Sequence, residues 1–198
     1  TFLLGGVQIF IGSINLQIFS GGVSAVIDAQ HSSRLFELQC GARLELQSLI
    51  LANGNTPGIG GTVQVSRNSW FLGYNISILN STSSNAGGAV GLCVASRFEL
   101  VDSLILNSTT MKHGGAVSLL RDSSALLLRC CVKSCAAVQR LYGDGGAFFT
   151  AGGELTIAEG SFLVNCSASW GGSIYSYDAA SRIMVINSSV CYSSASLG

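Results

Sequence analysis

Paired glycines recur along this chain at a nearly fixed spacing. They begin at Gly60, Gly87, Gly114, Gly145 and Gly171, so the intervals are 27, 27, 31 and 26 residues. A repeat of that length constrains the fold before any strand or helix is assigned. Each repeat must be one supersecondary unit that buries its apolar face against its neighbours, as in a solenoid. A second register agrees with the first: Asn53, Asn80 and Asn107 are each 27 apart and each lies seven residues before a glycine pair, and Asn165 lies six before Gly171. The coil between carries Ser134 at that phase, followed by the extra residues that make it the longest. The segment from Arg43 to Asn53 aligns without gaps to the segment from Arg97 to Asn107, an offset of 54, twice 27.

Within each repeat the apolar residues are Val, Ile, Leu and Phe in short runs, and these are strand lengths with a bias toward one inward face. The repeat reads as three short strands, in one coil 89–94, 97–101 and 104–106. In the middle strand Phe98 and Leu100 point inward while Arg97 and Glu99 face solvent. The fold class expected is all-β, a right-handed parallel β-helix with coils of about 27 residues, stacked at roughly 4.8 Å. The chain is expected to be a single domain, residues 1–198. Within it 1–20 form an irregular first coil or cap, 21–59 the entry coils and 60–198 the regular coils. An uncovered terminal rung invites strand addition, so further coils of a longer polypeptide or other protein subunits are the expected partners at the exposed ends.

The asparagine phase is expected to turn its amides inward as a structural ladder (Asn53, Asn80, Asn107, Asn165), each amide bonding the turn and the next rung. The rung starting at Gly60 matches least well, because Gly73 and Ser77 fall where other copies place leucine. A bulge or shifted register is expected there.

Composition excludes several function classes. Charged residues are 10% of the chain and the formal net charge is zero, with no run of like charges, which argues against a nucleic-acid or anionic-membrane surface. No apolar run is long enough for a transmembrane helix, so membrane insertion is not expected.

The residues also resemble a known family. Gly87-Gly-Ala-Val90, Gly114-Gly-Ala-Val117, Gly145-Gly-Ala-Phe148 and Gly171-Gly-Ser-Ile174, with Phe162-Leu-Val-Asn165, are similar to the Gly-Gly-Ala-aliphatic and Phe-x-x-Asn repeats of the chlamydial polymorphic membrane proteins. The segments 26–36 and 41–46 look like the first coils of pectin-lyase-like β-helix proteins. The resemblance covers residues 21–198. It implies a secreted, extracellular or cell-surface protein with an adhesive or structural role.

Five Asn-x-Ser/Thr sequons occur, at Asn75, Asn80, Asn107, Asn165 and Asn187, where composition alone predicts about two. An inward amide cannot carry a glycan, so Asn75 and Asn187 are the leading N-glycosylation candidates, ahead of Asn80, Asn107 and Asn165. Of the seven cysteines, Cys135 and Cys166 follow the asparagine phase in consecutive coils, close enough on stacking for a disulfide. The others are expected to fill the core.

Catalytic chemistry is thin. A β-helix lyase or hydrolase needs clustered carboxylates on one outer face, and the aspartates, 28, 102, 122, 144 and 178, scatter over different phases. Glu45 and Glu99 beside Arg43 and Arg97 read as surface ion pairs, and Asp122 and Asp178 as solvated turn residues. His31 and His113 have no repeated Ser or Cys partner and read as surface residues. Tyr142, Trp170, Tyr175 and Tyr177 near the later turns are a candidate sugar-binding patch, with ordinary packing the simpler account. No catalytic residue, metal or cofactor is expected. The expected function is a non-enzymatic surface or extracellular scaffold working through protein or glycan contacts. The alternative is a carbohydrate-active enzyme or glycan-binding module on the same fold.

Overall fold

The computed structural model describes residues 1–22 and 24–197. They wind into a parallel β-solenoid of about seven coils, without a helix among the described residues. Each strand pairs in parallel with its counterpart one coil away: Val90 sits between Val63 and Val117, and Phe98 between Phe71 and Ala125. Ile105 likewise sits between Ile78 and Val132. The strands build four sheets. Following one coil from its glycine pair, sheet 1 takes Val90–Cys93, sheet 2 Arg97–Val101, sheet 3 Leu104–Leu106 and sheet 4 Thr109–Thr110. The sheets hold seven, seven, eight and six strands respectively. Three strands per coil were expected. The fourth is two residues long, too short to display alternation in sequence. Phe2–Leu3, Ile9–Gly12 and Asn15–Phe19 extend three of the sheets by one rung, in register with the coil above.

Four sheets per coil require four corners, and the chain makes each one with residues in the left-handed region. The corner between sheets 4 and 1 uses the first glycine of each pair, with φ between 62° and 70° from Gly60 to Gly171. The second glycine is required for a different reason. A Cβ on Gly88 would lie 2.1 Å from the carbonyl oxygen of Gly115 and 2.5 Å from that of Thr109, so only a bare backbone lets successive coils approach. Between sheets 3 and 4 the left-handed residues are Asn53, Asn80, Asn107, Ser134, Asn165 and Tyr192. Between sheets 2 and 3 they include Ser48, Asn75, Asp102, Arg129 and Asn187.

This corner geometry overturns the inward asparagine ladder. Asn80, Asn107 and Asn165 are exposed and Asn53 is half-buried. The residue recurs because its short polar side chain tolerates positive φ, not because its amide is buried. The rungs still touch on the outside: Asn107 Nδ2 donates to Asn80 Oδ1 at 3.4 Å, Asn165 Nδ2 to Ser134 Oγ at 3.3 Å and Asn53 Nδ2 to Asp28 Oδ1 at 2.9 Å.

The core lies inside the four sheets. Phe36, Phe71, Phe98 and Phe148 are fully buried, and Phe71 stacks on Phe98 with ring centroids 5.5 Å apart. Phe98 and Leu100 face inward and Arg97 outward, as the alternation requires. The expected bulge in the Gly60 coil is absent. Gly73 pairs in unbroken register with Leu46 and Leu100, and the side chains of Ile76 and Leu100 take up the space a leucine would fill. Ser77 sits on the outer face of sheet 3 opposite Ile50 and Leu104, where no core residue is needed. The long coil keeps its register through Ala137, and its extra residues form a loop before Asp144 that exposes Val138, Leu141 and Tyr142.

Candidate functional site

The outward residues of sheet 2 form three columns up the side of the solenoid. In the first, Trp70 pairs with Arg43 below and Arg97 above. The Arg43 guanidinium carbon lies 4.3 Å from the centre of the Trp70 ring, a cation–π contact that fixes the indole against the sheet. The column continues through Ser124 and Glu154 to Arg182. In the second column Leu72 lies between Glu45 and Glu99, and in the third Tyr74 lies between Gln47 and Val101. Burial, followed by the Glu99 and Glu45 carboxylates, pushes the Tyr74 phenol pKa up.

Ser124, small between Arg97 and Glu154, leaves a dip in this face. One depression of about 380 Å³ is lined by Trp70, Arg97, Glu99, Ser124 and Glu154. A second, of about 480 Å³, adjoins it through Arg97, Ser124 and Glu154 and extends to Asn68, Asp122 and Arg182 at the corner. Of the charges here only Glu45 is paired, with Arg43 at 3.5 Å. Arg97, Glu99, Glu154 and Arg182 form no ion pair among the described residues. The result is a groove with a rigid sheet as its floor, an aromatic platform at one end and unpaired charges of both signs along it. Sequence reasoning named Arg43, Arg97, Glu45 and Glu99 but passed over Trp70 and Glu154. The signal was present, since 70 lies 27 from both 43 and 97.

Other expected site residues fall elsewhere. His113 is not isolated: its Nδ1 lies 2.8 Å from Asp144 Oδ2 and its ring packs 4.5 Å from Phe149, which stacks on Tyr175. His31 is exposed at a left-handed turn. Of the candidate aromatic patch, Trp170, Tyr142 and Tyr177 are exposed with no ring contact between them among the described residues, and Tyr175 packs on Phe149. Asp178 accepts from the Ser181 hydroxyl and the Gly152 amide, which hold its carboxyl below the usual range. Asp122 is exposed at the rim of the groove. Asp102 and Glu159 both bind Arg129, making a charged ladder at the corner between sheets 2 and 3.

All seven cysteines are free thiols. Cys135 and Cys166 are buried one rung apart, their thiols donating to the Lys133 and Val164 carbonyls, and the neighbouring Cys166 thiol followed by burial raises the Cys135 pKa. The neighbouring Cys135 thiol lowers the Cys166 pKa to about 7 against the opposing effect of burial. Of the remaining five only Cys130 fills the core, and there burial pushes its thiol up to about 11. Cys40 is exposed, and Cys93, Cys131 and Cys191 are half-buried, Cys131 and Cys191 on outward positions of sheet 3. No group of three or more His, Cys, Asp or Glu that could hold a metal ion occurs among the described residues. No helix among them is long and apolar enough to cross a membrane.

No family model, curated protein or solved structure matches this chain. The likeness to chlamydial and pectin-lyase-like repeats therefore rests on its motifs alone, and what the structure shows is a parallel β-solenoid of about seven coils.

Proposed function

We propose that this solenoid is a non-enzymatic extracellular or cell-surface scaffold that engages a partner glycan or protein along the groove of sheet 2. The observation that carries the reading is the Arg43–Trp70–Arg97 column opening onto the Ser124 dip. An indole packed on one face by a guanidinium can offer its remaining surface to a ligand, and Arg97 and Glu99 offer directional hydrogen bonds beside it. The floor is a sheet whose every strand is paired on both sides in mid-column, so the groove is formed before a ligand arrives and ordering costs on binding are small. The Gly-Gly-Ala-aliphatic repeats, by their resemblance to surface-protein repeats, support the same setting.

The test is binding of the purified protein to an array of extracellular glycans and to matrix proteins, repeated with Trp70→Ala. The reading expects at least one partner whose affinity falls tenfold or more with Trp70→Ala, about 1.4 kcal/mol. Binding indifferent to Trp70 and Arg97 would refute it.

A second reading, a carbohydrate-active enzyme, is favoured by one observation: Glu154 and Asp122 line the same depression. Glu99 lines the adjoining depression with Glu154, two rungs away. Release of reducing ends that Glu154→Gln abolishes, with binding retained, would decide for the enzyme.

A further inference from the structure

The five sequons do not scatter over the solenoid. Asn75 and Asn187 stand at the corner between sheets 2 and 3, and Asn80, Asn107 and Asn165 at the corner between sheets 3 and 4, so all five border sheet 3. All five are exposed, with φ between 46° and 55°. In four of the five tripeptides the middle residue turns toward the interior, while Ser188 is half-buried. Ile76, Ser81, Ser108 and Cys166 are at most 1% exposed. The asparagine and the hydroxyl two residues on therefore stay on the outer side together.

Corner geometry explains the asparagines but not the hydroxyls. At the corner between sheets 2 and 3, the second residue after the corner is the first outward position of sheet 3. Where the corner is Ser48, Asp102, Arg129 or Gly160, that position is Ile50, Leu104, Cys131 or Phe162. Where the corner is Asn75 or Asn187, it is Ser77 or Ser189. A hydroxyl enters an otherwise apolar column only in the coils whose corner is asparagine. At the other corner Asn80, Asn107 and Asn165 are followed by Thr82, Thr109 and Ser167 and Ser134 by Ala136, but Asn53 is followed by Asn55 and Tyr192 by Ser194, so asparagine and hydroxyl go strictly together only at the first corner.

The face between these borders needs a cover. Its outward columns are largely apolar: Ile50, Leu104, Cys131 and Phe162 in one, interrupted by Ser77 and ending on Ser189, and Leu79, Leu106 and Val164 in the other, interrupted by the exposed Lys133; the apolar members are half-buried except Phe162, which is 49% exposed. A depression of about 410 Å³ opens among Asn75, Ser77, Leu104, Cys131 and Phe162. The stripe is broken by Ser77 and Lys133, and the exposed Phe162 is its member most in need of cover.

We propose that the five asparagines are N-glycosylation sites whose carbohydrate frames sheet 3 from both corners and covers its apolar stripe. The donor class is an oligosaccharide carried on a polyprenyl diphosphate, delivered by a transferase of a secretory pathway. The amide Nδ2 forms a bond to the anomeric carbon, the bond from that carbon to the diphosphate oxygen breaks, Nδ2 loses one proton, and the lipid diphosphate leaves. The inference goes beyond the sheet 2 reading and shares with it only the secretory setting. Sheet 2 has no sequon on its corner with sheet 1, where Asn68 is followed two residues on by Trp70, so carbohydrate leaves that border of the groove open.

The experiment is glycopeptide mapping of protein from its native source, before and after an amidase that converts each glycosylated Asn to Asp. Expected is carbohydrate on both corners: at Asn75 or Asn187, and at Asn80, Asn107 or Asn165. Ser77→Ala and Thr109→Ala should each abolish occupancy at their own asparagine while leaving the corner residue and the thermal midpoint unchanged. Sedimentation then tests the cover: the deglycosylated protein should self-associate, and Phe162→Ser should suppress the association. Five unmodified asparagines, carbohydrate confined to one corner, or a deglycosylated protein that stays monomeric would each overturn the proposal. Binding at sheet 2, measured on the same deglycosylated protein in its Phe162→Ser form, stands or falls separately.

Discussion

Sheets 2 and 3 are built by the same coils with the same period, yet their outer faces differ. Sheet 2 presents Arg43, Trp70, Arg97, Glu99 and Glu154 around an open groove, while sheet 3 presents Ile50, Leu104, Leu106 and Phe162 between two corners that carry every sequon. Their inner faces are nearly interchangeable, Phe98 and Leu100 on one and Ile78 and Ile105 on the other, all buried. The inner columns are dictated by the stack, since a misfit on one rung disturbs the rungs on either side. The outer columns are free of that demand, and there the two faces have diverged.

The largest effect should come from changes that both faces share. Gly115→Ala places a Cβ 2.1 Å from the Gly146 carbonyl oxygen, and Phe98→Ala removes half of the buried Phe71 stack. For Phe98→Ala a loss of about 3–5 kcal/mol is expected. Denaturant titration should show both flanks melting together in each variant, and a Gly115→Ala protein as stable as the parent would contradict the close approach of coils.

Next in size is a difference confined to sheet 2. Trp70→Ala should cost groove binding while stability moves by less than about 1 kcal/mol, because the indole lies outside the core. An equal loss of stability would mean that Trp70 is part of the fold rather than of the groove.

Of similar size is the corner effect. Asn80→Ala should destabilise by about 1–2 kcal/mol, the cost of a Cβ in the left-handed region without the local hydrogen bonding of asparagine. Asn80→Gly should be close to neutral. A buried amide ladder would show the opposite order of concern, with Gly as damaging as Ala.

The smallest effect is on thiol chemistry. Native alkylation at neutral pH should label Cys40 first, then Cys93, Cys131 and Cys191, and leave Cys130, Cys135 and Cys166 protected until unfolding. If Cys135 and Cys166 become joined in an oxidising compartment, both stay unlabelled after unfolding until a reductant is added. Mass spectrometry of the labelled peptides reads both outcomes.

Much of this was legible in the sequence because one physical rule, stacking at a fixed period, writes itself into many residues at once. The glycine pairs marked a repeated turn, Phe98 and Leu100 the inward face, and the 27-residue offset the stacking period, which also sets Trp70 between Arg43 and Arg97 although that pairing went unread. What misled was the asparagine phase. A recurring polar residue beside apolar strands is consistent with a buried ladder or with a left-handed corner, and side-chain type alone does not separate them. The fourth sheet was missed because two residues such as Thr109 and Thr110 carry no alternation. The partner of His113 was missed because Asp144 follows the inserted loop, out of phase by four residues. The groove depends on Ser124 being small between two long charged neighbours, a property of three coils together and of no single motif.

The central claim is that residues one coil apart lie directly above one another. Distances between spin labels borne on unnatural amino acids test it along one outward column of sheet 2, from Gln17 to Leu126, to Thr156 and to Met184 in turn, four, five and six rungs up the stack. A parallel stack predicts separations of about 19, 24 and 29 Å, rising by roughly 4.8 Å for each coil. Separations that do not increase in even steps, or that shorten between Thr156 and Met184, would contradict it.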